Sequence, residues 1–155
     1  MSTATGIDPR APRFGAGITA VLLLITIGLS LGGFSVAATV LFAAITVLFA
    51  WGAFAGVQRH PYGAIYRALV RPRLAAPTEL EDPTPPTFAQ GVGFVITAVG
   101  LVLSLLGVPL AIVVAASFAF IAAFLNSVFA FCLGCQIYLL LVRARVIRPK
   151  GAVAA

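Results

Sequence analysis

The sequence predicts an all-α membrane protein: four transmembrane helices forming two parallel two-helix repeats, each followed by a short cytoplasmic interfacial helix. Three observations carry that expectation. Four apolar runs are each long enough to cross a hydrocarbon core, which takes about 20 helical residues. Motifs in the first half recur in the second, and all ten basic residues fall on one side of a four-span arrangement. Composition agrees, with 61% hydrophobic and 9% charged residues and a mean hydropathy of +1.12. A soluble domain carries roughly 25% charged residues, so this chain has no means of hiding its apolar surface from water. Its natural surroundings are a lipid bilayer. The net charge of +6 does not point to nucleic acid, because a basic nucleic-acid face needs interleaved polar residues on a soluble core.

The first run, Phe14–Leu31, follows Arg10 and Arg13 and so imitates a signal peptide. A second long run follows after a short Gly-rich turn, with no cleavage site between them, which argues for a retained helix. The spans are expected at 14–31, 35–57, 88–106 and 109–131. Gly32 and Gly33 break the first pair, and Gly107 with Pro109 breaks the second, so each pair should form a tight helical hairpin. No run alternates as a membrane strand does.

The halves resemble each other. "DPRAPRF" (8–14) matches "DPTPPTF" (82–88), and "HPYGAIYRALVRPRL" (60–74) aligns without gaps on "CLGCQIYLLLVRARV" (132–146). Shared apolar composition can pair Leu with Val, but not IY followed by LVRxR at equal spacing; internal duplication accounts for both. The chain thus divides into a first repeat (1–73), a Pro-rich linker (74–87) and a second repeat (88–155). Each repeat holds an even number of spans, so both enter the membrane in the same sense, about a pseudo-twofold axis along the membrane normal.

Charge sets the orientation. Arg10, Arg13, Arg59, Arg67, Arg71, Arg73, Arg143, Arg145, Arg148 and Lys150 share one side, and the hairpin tips have none. The positive-inside rule places both termini and the linker in the cytoplasm. The linker, with Glu79, Glu81 and Asp82 among prolines, is expected to be extended and solvated.

The fourth apolar stretch, from Pro109 to Val142, would as one helix reach about 50 Å across a core of about 30 Å. It must project or break. In the first half the corresponding corner carries His60-Pro61, and proline turns the preceding residue away from helix. By symmetry a bend is expected at Gly134, followed by a short helix over about 136–145. In the first half Arg67 and Arg71 share one face of an amphipathic segment suited to the interface.

That bend holds both cysteines of the chain, Cys132 and Cys135, in "FCLGC". Near a helix N-terminus, unpaired N–H groups favour a thiolate, which makes Cys132 the candidate attacking thiol and Cys135 the resolving one. Two other readings stay open. Free cysteines in apolar segments often serve as small hydrophobes, and a metal site would need four ligands where Cys132, Cys135 and His60 supply three. Gln136, not His, follows the motif, so c-type haem attachment is absent. His60 aligns with Cys132 and would act as a base if the two corners met. Asn126, an amide inside the fourth span, together with Tyr62 and Arg59 beside His60, are the candidate substrate contacts. No acidic residue lies within a span, and no Walker loop, GxSxG or HExxH motif occurs. No cofactor or resident metal is therefore expected.

"DPRAPRFGAGITAV", "RHPYGAIYRALVRPRL", "ELEDPTPPTFAQGVG" and "AAFLNSVFAFCLGCQIYLL" together resemble a family of small bacterial membrane proteins classed as a domain of unknown function. The resemblance covers almost the whole chain, with the HPYG and FCLGC signatures at 60–63 and 131–135. It implies a multi-pass protein of the bacterial inner membrane and thiol or sulfur chemistry, with a thioredoxin-like protein or a sulfurtransferase as the cytosolic partner. The leading functional expectation is a thiol–disulfide protein exchanging through Cys132 and Cys135. A small transporter or channel for a sulfur compound, framed by a homodimer, and a structural membrane subunit are the alternatives.

Overall fold

The computed structural model describes residues 6–148, and every regular element among them is a helix, apart from one isolated backbone bridge. Helix α1 spans Arg10–Leu31, α2 Ser35–Ala55, α3 Pro61–Ile65, α4 Thr84–Leu105, α5 Ala111–Phe129 and α6 Leu133–Arg143. After α3 the chain winds on through a π-turn, Tyr66–Val70, and a tight turn, Arg71–Arg73. Helices α1, α2, α4 and α5 are long and apolar enough to cross a membrane. Lys150 lies outside the described residues.

The spans differ from expectation at their ends for local reasons. Helices α1 and α4 each begin about a turn early, because an aspartate two residues ahead receives a first-turn N–H. Asp8 Oδ1 accepts from Arg10 at 3.0 Å and Asp82 Oδ1 from Thr84 at 2.8 Å. Pro85 and Pro86 sit in the first turn of α4, where the missing N–H groups would have no partner anyway. The extended part of the linker therefore stops at Pro83. It is also pinned: Ile7 and Glu81 exchange reciprocal backbone hydrogen bonds of 2.9 Å.

Both hairpin turns close with the same bonds. Phe34 N–H reaches Leu29 carbonyl at 2.9 Å and Val108 N–H reaches Leu103 carbonyl at 3.0 Å, with Gly33 (φ 83°) and Gly107 (φ 85°) in the left-handed region that glycine enters freely. The bend expected at Gly134 falls instead at 130–132. Ala130 takes the left-handed conformation (φ 55°), and Phe131 N–H closes onto Leu125 carbonyl at 3.1 Å, ending α5. Gly134 lies inside α6, where its missing side chain serves packing: a Cβ there would lie 2.6 Å from the Ala89 Cα of α4.

Helix α1 packs chiefly on α5 and α2 on α4, with the hairpin partners completing a ring; α3 leans on α1, and α6 on α4. The core joins Leu23, Phe42 and Ile45 to Ile112, Ala115, Ala116 and Ala119, so bulky side chains of α1 and α2 fill the space above the alanines of α5. Outward positions such as Val36, Phe54, Val95 and Phe118 are exposed and apolar. In lipid no hydrophobic force separates inside from outside, and association rests on close packing of small residues. The buried hydroxyls of Thr26, Thr46 and Thr97 each donate to the carbonyl four residues back, at 2.9 Å, and so carry no unmet donor into the bilayer.

Candidate functional site

The cysteine corner is built by the turn that ends α5. Cys132 is extended (φ −85°, ψ 100°) and forms the N-cap of α6, its Sγ accepting the backbone N–H of Cys135 at 3.3 Å. The first turn of α6 then brings the two Cα atoms to 5.2 Å, and Cys132 and Cys135 are joined as a disulfide. That separation lies within the usual range for the bond. Both cysteines are half-buried, with exposed Phe131 and Ile137 beside them. Helix α6 is held on α4 by the glycine contact at Ala89 and by Phe88, whose ring centroid lies 5.5 Å from that of Tyr138.

The histidine corner has the same local form. His60 is extended (φ −67°, ψ 138°) and caps α3, with Nδ1 accepting the Tyr62 N–H at 3.2 Å. Pro61 follows at the first helical position, where its fixed φ suits the helix. Nδ1 is an acceptor here, so Nε2 carries the proton and donates to the Leu48 carbonyl at 3.1 Å. His60 is buried, and burial lowers its pKa from the usual imidazole value, against the opposing effect of the Leu48 hydrogen bond. Both ring nitrogens are thus held by backbone of the first half.

Beside His60 lies a cavity of about 300 Å³ whose walls include Asp8, His60, Tyr62, Tyr66 and Gln90, and neither cysteine. Tyr66 donates its hydroxyl to Asp8 Oδ2 at 3.0 Å, and Arg10 donates from Nε and Nη2 to the two oxygens of the same carboxylate, at 2.9 Å each. Hydrogen bonding from Arg10 holds the Asp8 carboxyl below the ordinary carboxylate range, against desolvation; burial pushes the hydroxyls of Tyr62 and Tyr66 up.

Of the residues singled out from sequence, the structure joins Cys132 to Cys135, and His60 to Tyr62, whose ring lies 4.8 Å away. It does not bring the two groups together. Arg59 is exposed, its carbonyl receiving the Trp51 indole N–H at 3.1 Å, and Asn126 is half-buried on α5 away from the cavity wall. Among the described residues no cluster of three His, Cys, Asp or Glu side chains is placed to hold a metal. Sequence reasoning missed Asp8, Tyr66 and Gln90. The repeated DP and IY motifs contain the first two, but a bond across 58 positions leaves no periodic trace.

No curated protein and no solved structure matches this chain. The model of one family, described as a domain of unknown function (DUF4395), matches residues 7–143, so the chain, with its four apolar helices and its CxxC disulfide, belongs to that family.

Proposed function

We propose that this protein is a membrane thiol–disulfide carrier whose Cys132–Cys135 pair faces the cytoplasm and exchanges with a soluble thioredoxin-like protein or sulfurtransferase. The observation that carries this reading is the cap: Cys132 Sγ accepts the Cys135 N–H while bonded to the Cys135 sulfur. A partner thiolate attacks Cys132 Sγ, the S–S bond breaks, and Cys135 leaves as a thiolate that takes up a proton. The second partner thiol, losing its proton, then attacks the partner's own sulfur in the mixed disulfide. Cys132 departs as a thiolate stabilised by the helix N–H, and the partner leaves oxidised by two electrons. His60 is not needed as a base in this scheme; it caps its own corner.

The orientation rests on the arginines of the described residues, which all lie at one end of the bundle, and the positive-inside rule puts that end in the cytoplasm of a bacterial inner membrane. The two halves are read as parallel repeats. The reciprocal Ile7–Glu81 bonds, the matched turns, the capped corners, and the ring pairs Phe14–Tyr66 (5.8 Å) and Phe88–Tyr138 (5.5 Å) support this. A twofold axis passing between Ile7 and Glu81 would require such reciprocity.

The test is a redox titration of the nanodisc-held protein, read as a gel shift with a bulky maleimide. A reversible two-electron transition near the thioredoxin potential of about −270 mV is expected, and Cys135→Ser should then accumulate a mixed disulfide through Cys132. Cysteines that stay in one state across the accessible range would sink the exchange model.

A further inference from the structure

We infer that the cavity beside His60 is a binding site for a phosphate-type oxyanion, separate from the cysteine pair. Its volume of about 300 Å³ matches the lower end of the range for small-molecule sites, and is several times larger than one water requires. It therefore admits an oxyanion with its waters or one carried on a small head group.

The charge of its walls selects an anion. Asp8, its one carboxylate, is already held by the Arg10 fork and the Tyr66 hydroxyl. Arg67 and Arg71 also line the cavity, and neither has an ion-pair partner among the described residues. Arg67 Nη1 makes one long contact, 3.4 Å to the Gln58 carbonyl, which leaves most of its donors available. His60 contributes no charge, since Nδ1 is held as an acceptor.

Spacing explains why both guanidinium groups serve one cavity: Arg67 and Arg71 lie four residues apart on one face of the helical segment. The Arg71 N–H bonds to the Tyr66 carbonyl five residues back. That π-turn brings the Arg71 backbone over Tyr66, which lines the same cavity. π-Turns of this kind recur at functional sites. Two guanidinium groups approaching from successive turns suit a tetrahedral oxyanion, which accepts along several directions, better than a planar carboxylate, which one fork satisfies. The amide of Gln90 lies in the same wall as a further donor.

Two sources offer this chemistry: the phosphodiester of an anionic lipid, or a free phosphate. The full chain in detergent would be titrated with inorganic phosphate at constant ionic strength, and with phosphatidylglycerol against phosphatidylcholine, using the thermal midpoint and native mass spectrometry as readouts. The wild type should bind one probe saturably. The R67Q/R71Q double variant should bind it at least ten-fold more weakly, while R143Q/R145Q, which removes equal charge from the other corner, should match the wild type. Saturation by phosphate identifies a soluble ligand; saturation by phosphatidylglycerol alone identifies a lipid. Equal weakening in both double variants, or no saturable binding of either probe, overturns the proposal.

Discussion

His60 and Cys132 show how one backbone task can be done by two chemistries. Each sits extended before a short helix and accepts an N–H from that helix's first turn, at 3.2 Å through nitrogen and 3.3 Å through sulfur. The imidazole can do so only while neutral, which gives the corner a pH dependence. The folded pKa of His60 lies below its ordinary value of 6.5, so the folded state binds fewer protons than the unfolded. Its stabilisation is complete above about pH 6.5 and is lost as pH falls through the lower folded value. The thermal midpoint of the wild type should therefore drop between pH 7.5 and pH 5, and His60→Asn, a non-titrating cap, should flatten that slope. Parallel slopes for the two proteins would remove His60 from the account. His60→Ala, which loses the cap at every pH, should cost about 1–2 kcal/mol.

At the scale of the element, the short helices are fitted to the long ones by exchanging bulk. Tyr62 of α3 packs over Gly15 of α1, where a Cβ would lie 3.3 Å from the ring. In the other half the small partner is on the short helix, with Gly134 of α6 pressed on Ala89 of α4. Gly134→Val should accordingly push α6 off α4 and destabilise the protein by about 1–3 kcal/mol, as overpacking does. Ala89→Gly should recover part of the loss, as read by thermal unfolding in nanodiscs. Failure of that rescue would place the fault elsewhere than in the contact. The connection from Gly56 to His60 is longer than that from Ala130 to Cys132, and the extra residues form the turn Val57–Arg59. Hence the DP motifs and the IY motifs recur at different spacings, although each aligns well by itself.

For the whole molecule, orientation is the property with most functional weight, since it decides which compartment meets the disulfide. In a Cys132→Ser/Cys135→Ser background, single cysteines at Gly33 and Gly107 should react with an impermeant maleimide applied to intact cells. One at Thr78 should react only after permeabilisation. Labelling of Thr78→Cys from outside would invert the assignment and move the exchange partner to the other compartment. The ring of four spans depends on Phe42 and Ile45 facing Ala116 and Ala119 across the bundle. Bulk on α2 is matched by its absence on α5.

Spans, hairpin turns, one-sided charge and the doubled motifs were legible in the sequence, because each depends on hydrophobic run length, glycine backbone freedom or local charge. The spacing of Cys132 and Cys135 likewise announced a pair within disulfide reach of any helical turn. Only the tertiary structure decided that the bend after α5 falls at Ala130 and not at Gly134, because a left-handed alanine is paid for by closing onto Leu125, and Gly134 is required against Ala89. The structure alone also tied Asp8 to Tyr66, set Gln90 in the wall of the His60 cavity, and kept both cysteines out of that wall. Contacts between distant segments depend on which helix faces pack together. In a bilayer, where inside and outside are equally apolar, hydropathy carries no mark of that choice.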